Sequence, residues 1–205
     1  ACTGLLIQGF GEHLKISDDF LIRKINTSRI YSPNGEYAEI KMKDNFLVDR
    51  AKLDQHIARL AIKEGAEYYL NHRFIGLKNG KAIINDKENK KNIEIGYESL
   101  IGADGPLSPV AKAAGIYGKR EFYFGSQVTA EIENDDVIEF YPQGTDILWL
   151  VPDSRKIAKV GVAAKTDTYK VFNDFAEKRM GKNYEKKIIA RQAAPIPLFK
   201  TNVSV

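Results

Sequence analysis

Leu100-Ile101-Gly102-Ala103-Asp104-Gly105-Pro106-Leu107-Ser108 reads as a short apolar strand that runs into a tight turn, with one carboxylate set between two glycines. Glycine on both sides lets the backbone pass close to a ligand, because no Cβ stands in the way. Asp104 can accept hydrogen bonds from sugar hydroxyls, and Gly105 keeps the approach open. The helix expected from Ser108 to about Ala114, with Gly115 as its stop, offers free N–H groups to a phosphate. Two readings of the turn stand at this point. One is a ligand-facing carboxylate; the other is a strand–turn–helix corner whose Asp is satisfied internally.

Composition narrows the class. The chain has 205 residues, 43% apolar and 28% charged, enough for one good core or two small lobes. The net charge of +4 is mild, and the lysines are scattered rather than interleaved with aromatics. They read as solvated faces and not as a nucleic-acid track, with a weaker reading as attraction to anionic lipid headgroups. The single cysteine excludes an internal disulfide and a thiol-rich metal site. His13, His56 and His72 have no metal-ligand spacing, so no metal is assigned. No apolar run spans a membrane and no signal peptide is visible. The expectation is a cytoplasmic protein with room for peripheral membrane contact.

Residues 1–26 carry a cysteine loop and a mixed segment. Residues 29–31 and 37–42 flank Ser32-Pro33-Asn34-Gly35, which predicts a hairpin. Asp49 reads as the N-cap of a helix whose inward face is Leu53, Ile57, Leu60 and Ala61 and which ends at Gly65. Short strands are expected at 67–70, 74–78, 82–85 and 93–97. After the Ala-Asp-Gly turn, residues 122–132, 137–141, 147–151 and 158–164 read as an antiparallel meander. Residues 169–180 read as an amphipathic helix with Val171, Phe172, Phe175 and Ala176 inward. The fold class is α+β (with an α/β remnant), dominated by a large, mostly antiparallel sheet.

Residues 100–108 resemble the second flavin-binding motif of FAD-dependent oxidoreductases of the p-hydroxybenzoate hydroxylase type. Within that group the chain is most similar to the geranylgeranyl reductase family. Cys2-Thr3-Gly4 resembles that family's cysteine-containing active-site loop. Val48-Asp49-Arg50-Ala51-Lys52-Leu53-Asp54, followed by Ala61 and Gly65-Ala66, resembles the strand–helix unit that precedes the Ala-Asp-Gly motif. Trp149 and Pro152 resemble the family's Tyr-x-Trp-x-Phe-Pro strand, with Ile147 and Val151 standing where the family has two further aromatics. The resemblance covers most of the chain. It implies an FAD-binding lobe remnant in residues 1–120 and a substrate or cap sheet in residues 121–205. It also implies FAD as cofactor and an isoprenoid lipid as substrate, with NAD(P)H or ferredoxin as the unspecified electron donor. No Gly-x-Gly-x-x-Gly and no C-terminal Gly-Asp-Ala motif is present in the chain. An internal fragment is therefore expected, one that binds FAD poorly or not at all by itself.

The site candidates follow. The resemblance puts Cys2 near the flavin ring and the reducible double bond, as proton donor or orienting group; a bland reading keeps it as a small apolar residue. Arg50 starts a helix, where a cation is slightly unfavourable, and Asp54 at i+4 offers a salt bridge. The resemblance instead sends Arg50 toward the flavin. Trp149, Tyr141, Phe140 and Phe124 lie on expected strands, where core packing is the ordinary role. Alternation points Trp149 and Val151 to one face and Leu148 and Leu150 to the other. Trp149 leads as a wall for an apolar substrate, joined by Tyr141 and Leu5. Two alternatives remain open: a flavin monooxygenase of the same fold acting on an aromatic or small substrate, and a cofactor-free module that binds an apolar ligand.

Overall fold

A computed structural model describes residues 2–6, 9–10, 14–43 and 45–198. Ile7, His13 and residues 201–205 lie outside the described residues. The chain divides into two units: Ala1–Leu60 with Tyr123–Ile196, and Ala61–Phe122 with Pro197–Val205. Residues 1–60 group with the strands of the large sheet and not with residues 61–122. The cause is strand pairing between distant parts of the chain.

In the first unit β1 (Leu5–Leu6), β5 (Phe46–Val48) and β2 (Leu21–Lys24) form a small sheet in the order β1-β5-β2. The large sheet has seven strands. They are β3 (Thr27–Tyr31), β4 (Tyr37–Lys41), β9 (Phe122–Glu131), β10 (Ile138–Gln143), β11 (Asp146–Ser154), β12 (Ile157–Ala164) and β13 (Ile188–Pro197). Their order is β13-β9-β12-β11-β10-β3-β4. The expected hairpin is present, with Tyr31 opposite Tyr37. Its first strand runs parallel to β10, Ile138 opposite Ser28. The expected meander holds for β10, β11 and β12 but not for β9, which lies beside β12. That placement sets Val128 opposite Val160 and Ala130 opposite Ala158, joining their apolar faces in one core.

Helix α1 (Arg50–Lys63) begins as its N-cap predicts: Asp49 accepts from the amides of Ala51 and Lys52 at 3.0 and 3.1 Å. Its expected inward face is corrected. Leu53 alone of the four is buried, packed with Phe20, Phe46 and Val48, while Ile57 and Leu60 are 45% and 42% exposed. The core there is small and reaches only the start of the helix.

The two faces of the large sheet carry different cores. On one, Val128, Leu148, Leu150, Val160 and Val162 pack against a helix at Thr168–Met180 through Phe172, Phe175, Ala176 and Met180. Each buried Phe contributes roughly 2 kcal/mol from removed apolar area. On the other face Ile138 and Val151 meet Ile25 and Leu47, with Leu5, Phe140 and Trp149 packed against them. The alternation expected along β11 is thus what the two cores display.

The second unit holds an antiparallel sheet of β6 (His72–Lys78), β7 (Lys81–Asp86) and β8 (Lys91–Gly96). Residues 67–70 are not a strand, and Tyr68, Tyr69 and Leu70 are exposed. Nor do Leu100 and Ile101 form a strand: no β pairing reaches them among the described residues, and Ile101 is 85% exposed. Helix α2 (Pro109–Ala113) follows, N-capped by Ser108, whose hydroxyl accepts from the Ala111 amide at 2.9 Å. Numbered in chain order, the helix at Thr168–Met180 is α3.

Candidate functional site

The loop at Cys2-Thr3-Gly4 is tied to the first unit at several points. Gly4 sits at φ +79°, and a Cβ built there would lie 2.3 Å from the carbonyl oxygen of Val48. Only glycine fits, because both the dihedral and the space exclude a side chain. The Val48 amide donates to the Gly4 carbonyl at 2.9 Å. Lys159 Nζ donates to the Thr3 carbonyl at 2.9 Å and pairs with Asp153 at 2.9 Å.

The Cys2 side chain on this loop is exposed. Its Sγ accepts from the Gly4 amide at 3.3 Å and lies 3.7 Å from Arg50 Nη1. The structure therefore brings Cys2 and Arg50 together. The salt bridge expected from the sequence is also present, Arg50 Nη2 to Asp54 Oδ1 at 2.8 Å. Asp54 chiefly, with Cys2 adding to it, pushes the Arg50 guanidinium further up from its ordinary value.

Trp149 belongs to the same neighbourhood. It stands opposite Gly161, and Leu5, beside the cysteine loop, packs in the same apolar cluster. Its indole Nε1 donates to Gln127 Oε1 at 3.0 Å. Gln127 is buried, and its Nε2 donates to the Cys2 carbonyl at 3.3 Å and to Gln192 Oε1 at 3.2 Å. Burying an amide without partners costs about 1–3 kcal/mol, and here each of its polar atoms has one. The sequence reading missed Gln127, Gln192 and Lys159. The available signal was a lone amide among small and apolar residues on β9.

Tyr141 is not part of this group. It projects to the opposite face of the sheet, stacks on Tyr31 with ring centroids 4.5 Å apart, and meets Phe175 edge-on. Its hydroxyl donates to Glu139, a buried carboxylate that Arg179 holds with two hydrogen bonds of 2.7 and 2.8 Å. Burial, then Glu139, pushes the Tyr141 phenol well up from its ordinary value.

Asp104 and Gly105 lie in the second unit. The Val110 amide donates to Asp104 Oδ2 at 3.0 Å, so the carboxylate helps to cap α2. Ser108 first, and then the Val110 amide, hold its carboxyl below the usual value. Asp104 is nevertheless exposed, and a carboxylate has lone pairs left after accepting two or three donors. Gly105 is at φ +87°, with no described atom within 4 Å of a built Cβ. An ionised, accessible acceptor on an open glycine turn fits the hydroxyls of a sugar-bearing cofactor. Beside it is a cleft of about 470 Å³ lined by Asn71, His72, Arg73 and Lys87 as well as Asp104. Among the described residues no cluster of three or more His, Cys, Asp or Glu is set to hold a metal ion. None of the described helices is long and apolar enough to cross a membrane.

No family model matches the chain. Individual relatives do. It is 28% identical over 201 residues to digeranylgeranylglycerophospholipid reductase 3 of Methanosphaera stadtmanae, covering 85% of this chain and 50% of that protein. It is 24% identical over 218 residues to the geranylgeranyl diphosphate reductase of Rhodobacter capsulatus, covering 98% and 55%. Among solved structures, a geranylgeranyl bacteriochlorophyll reductase-like protein from Thermoplasma acidophilum matches with a TM-score of 0.81 at 21% identity, over 97% of this chain and 56% of that one. A flavin-dependent brominase has the same fold with a TM-score of 0.66 at 17% identity. The chain spans about half the length of the curated relatives it matches.

Proposed function

We propose that this chain, which belongs over the part it spans to the geranylgeranyl reductase family, serves an FAD-dependent reduction of isoprenoid double bonds in lipids. The observation that carries the reading is the Cys2 thiol, exposed beside Arg50 on a pinned loop whose Cys2 carbonyl is tied through Gln127 to Trp149. The names of the relatives supply the substrate class.

When bound, reduced FAD supplies the hydride; the chain's own residues do the rest. Asp104 and Gly105 would hold the cofactor's hydroxyl-bearing part. Cys2 would deliver the proton that completes the saturated bond. Arg50 would then balance the charge left on sulfur. Trp149 and Leu5 would wall the apolar chain, and Tyr141, engaged with Glu139, is left out of that wall.

The test is Cys2→Ala in the reductase. Loss of a general acid lowers the rate by about 10²–10⁴. The expected result is that loss in reduction of a geranylgeranyl lipid with chemically reduced flavin, at unchanged flavin content. Full activity in the variant would remove Cys2 from the chemistry.

A further inference from the structure

The orientation of the Gln127 amide is fixed by its neighbours. An indole N–H can only donate and a backbone carbonyl can only accept. So Oε1 must face Trp149 and Nε2 must face Cys2, as the distances of 3.0 and 3.3 Å have it. Gln192 takes the second N–H at 3.2 Å. Gln127 is 2% exposed, so water does not compete for these bonds. Gly161 lies under the indole and leaves the ring no room to sink toward the sheet. One buried amide thus joins the loop that carries the thiol to the ring that is offered to substrate.

We propose that Gln127 is a positioning residue: it fixes the Cys2 loop and the Trp149 indole to one point of β9, so that a displacement of either is felt by the other. Its consequence for catalysis rests on the reading of the preceding subsection. Substrate seated against the indole would set the place of the thiol.

The chain's only tryptophan and only cysteine make the coupling measurable without flavin or lipid. Cys2 is labelled with a chromogenic aromatic disulfide in the 205-residue chain and in Gln127→Met, Trp149→Phe and the double variant, and Trp149 emission is recorded in the two proteins that keep the tryptophan. Gln127→Met keeps length and burial but removes the bonds to Trp149, Cys2 and Gln192. It should shift the emission and speed labelling about threefold to tenfold, the range for losing one restraining hydrogen bond. Trp149→Phe, which lacks only the N–H donor and part of the ring, should also change the labelling rate. It should do so far less once Gln127 is Met. Additive effects, or unchanged labelling in either single variant, would overturn the proposal. If Gln127→Met does not fold, the labelling rate of Trp149→Phe decides alone. In the reductase, Gln127→Met should lower kcat more than it raises KM. A chain that shows the coupling yet reduces no isoprenoid would sink the proposed activity and leave the coupling standing.

Discussion

Trp149 and Gly161 face each other across β11 and β12, and a Cβ built on Gly161 would lie 2.5 Å from ring carbon Cζ2 of the indole. The ring lies against bare backbone. Gly161→Ala must therefore move either the indole or the strand. Overpacking of this kind costs typically about 1–3 kcal/mol. The expected result is a lowered midpoint of urea unfolding together with altered Trp149 emission. An unchanged emission maximum with full stability would mean that the ring is not held where it is described.

Glu139 is 2% exposed and depends on Arg179 for its charge balance. Removing one partner of a buried pair leaves the other uncompensated. Arg179→Met should cost about 3 kcal/mol, the low end of the range for such pairs because the Arg179 side chain is 24% exposed. Adding Glu139→Gln should recover much of the loss. Denaturant unfolding of the three variants checks this, and additive losses would show that the pair is not coupled.

The Tyr141 phenol is pushed up by burial and by Glu139, so the folded chain keeps its proton to higher pH than the unfolded chain does. Above a pH of about 10, where an unfolded tyrosine begins to ionise, the native state binds more protons and stability falls as pH rises. Below that pH its contribution is fully present. Tyr141→Phe should flatten part of the alkaline fall. It should not remove all of it, because Tyr69 and Tyr184 are raised as well. Stability measured from pH 8 to 11 gives the slope; an identical slope in both proteins would contradict the assignment.

Local chemistry made several of these elements legible. Asp49 capped its helix, Ser32-Pro33-Asn34-Gly35 turned its hairpin, and strand alternation put Trp149 and Leu148 on opposite faces. What sequence did not carry was long-range pairing. Nothing local says that β3 joins β10 or that β9 skips to β12. Strand β13 was hidden by Pro195 and Pro197, which an edge strand tolerates. In the site, Cys2 and Arg50 were legible as residues but not as neighbours. Tyr141 looked like a companion of Trp149 until the register set it opposite Leu148. Gln127 was invisible because its importance lies wholly in its partners.

Asp104 carries the last prediction, because it has two duties that can be separated. It accepts from the Val110 amide, which supports α2, and it presents an exposed carboxylate on a glycine turn, which suits cofactor hydroxyls. Ser108, first among its partners, and Val110 hold its carboxyl below the usual value. A depressed folded value means that its contribution to stability is present above the unfolded value of about 3.9 and is lost as pH falls through the lower folded one. At neutral pH the group is ionised. Asp104→Asn keeps an acceptor for Val110 but removes the charge. In the proposed reductase it should weaken FAD binding while leaving the apoprotein melting temperature near its original value. Ser108→Ala removes the cap from Ala111 and should do the reverse, lowering the melting temperature with FAD affinity little changed. FAD titration by fluorescence quenching, paired with melting of the apoproteins, separates the two duties. If Asp104→Asn leaves FAD affinity intact and lowers the melting temperature, Asp104 is a helix cap and the turn does not bind the cofactor.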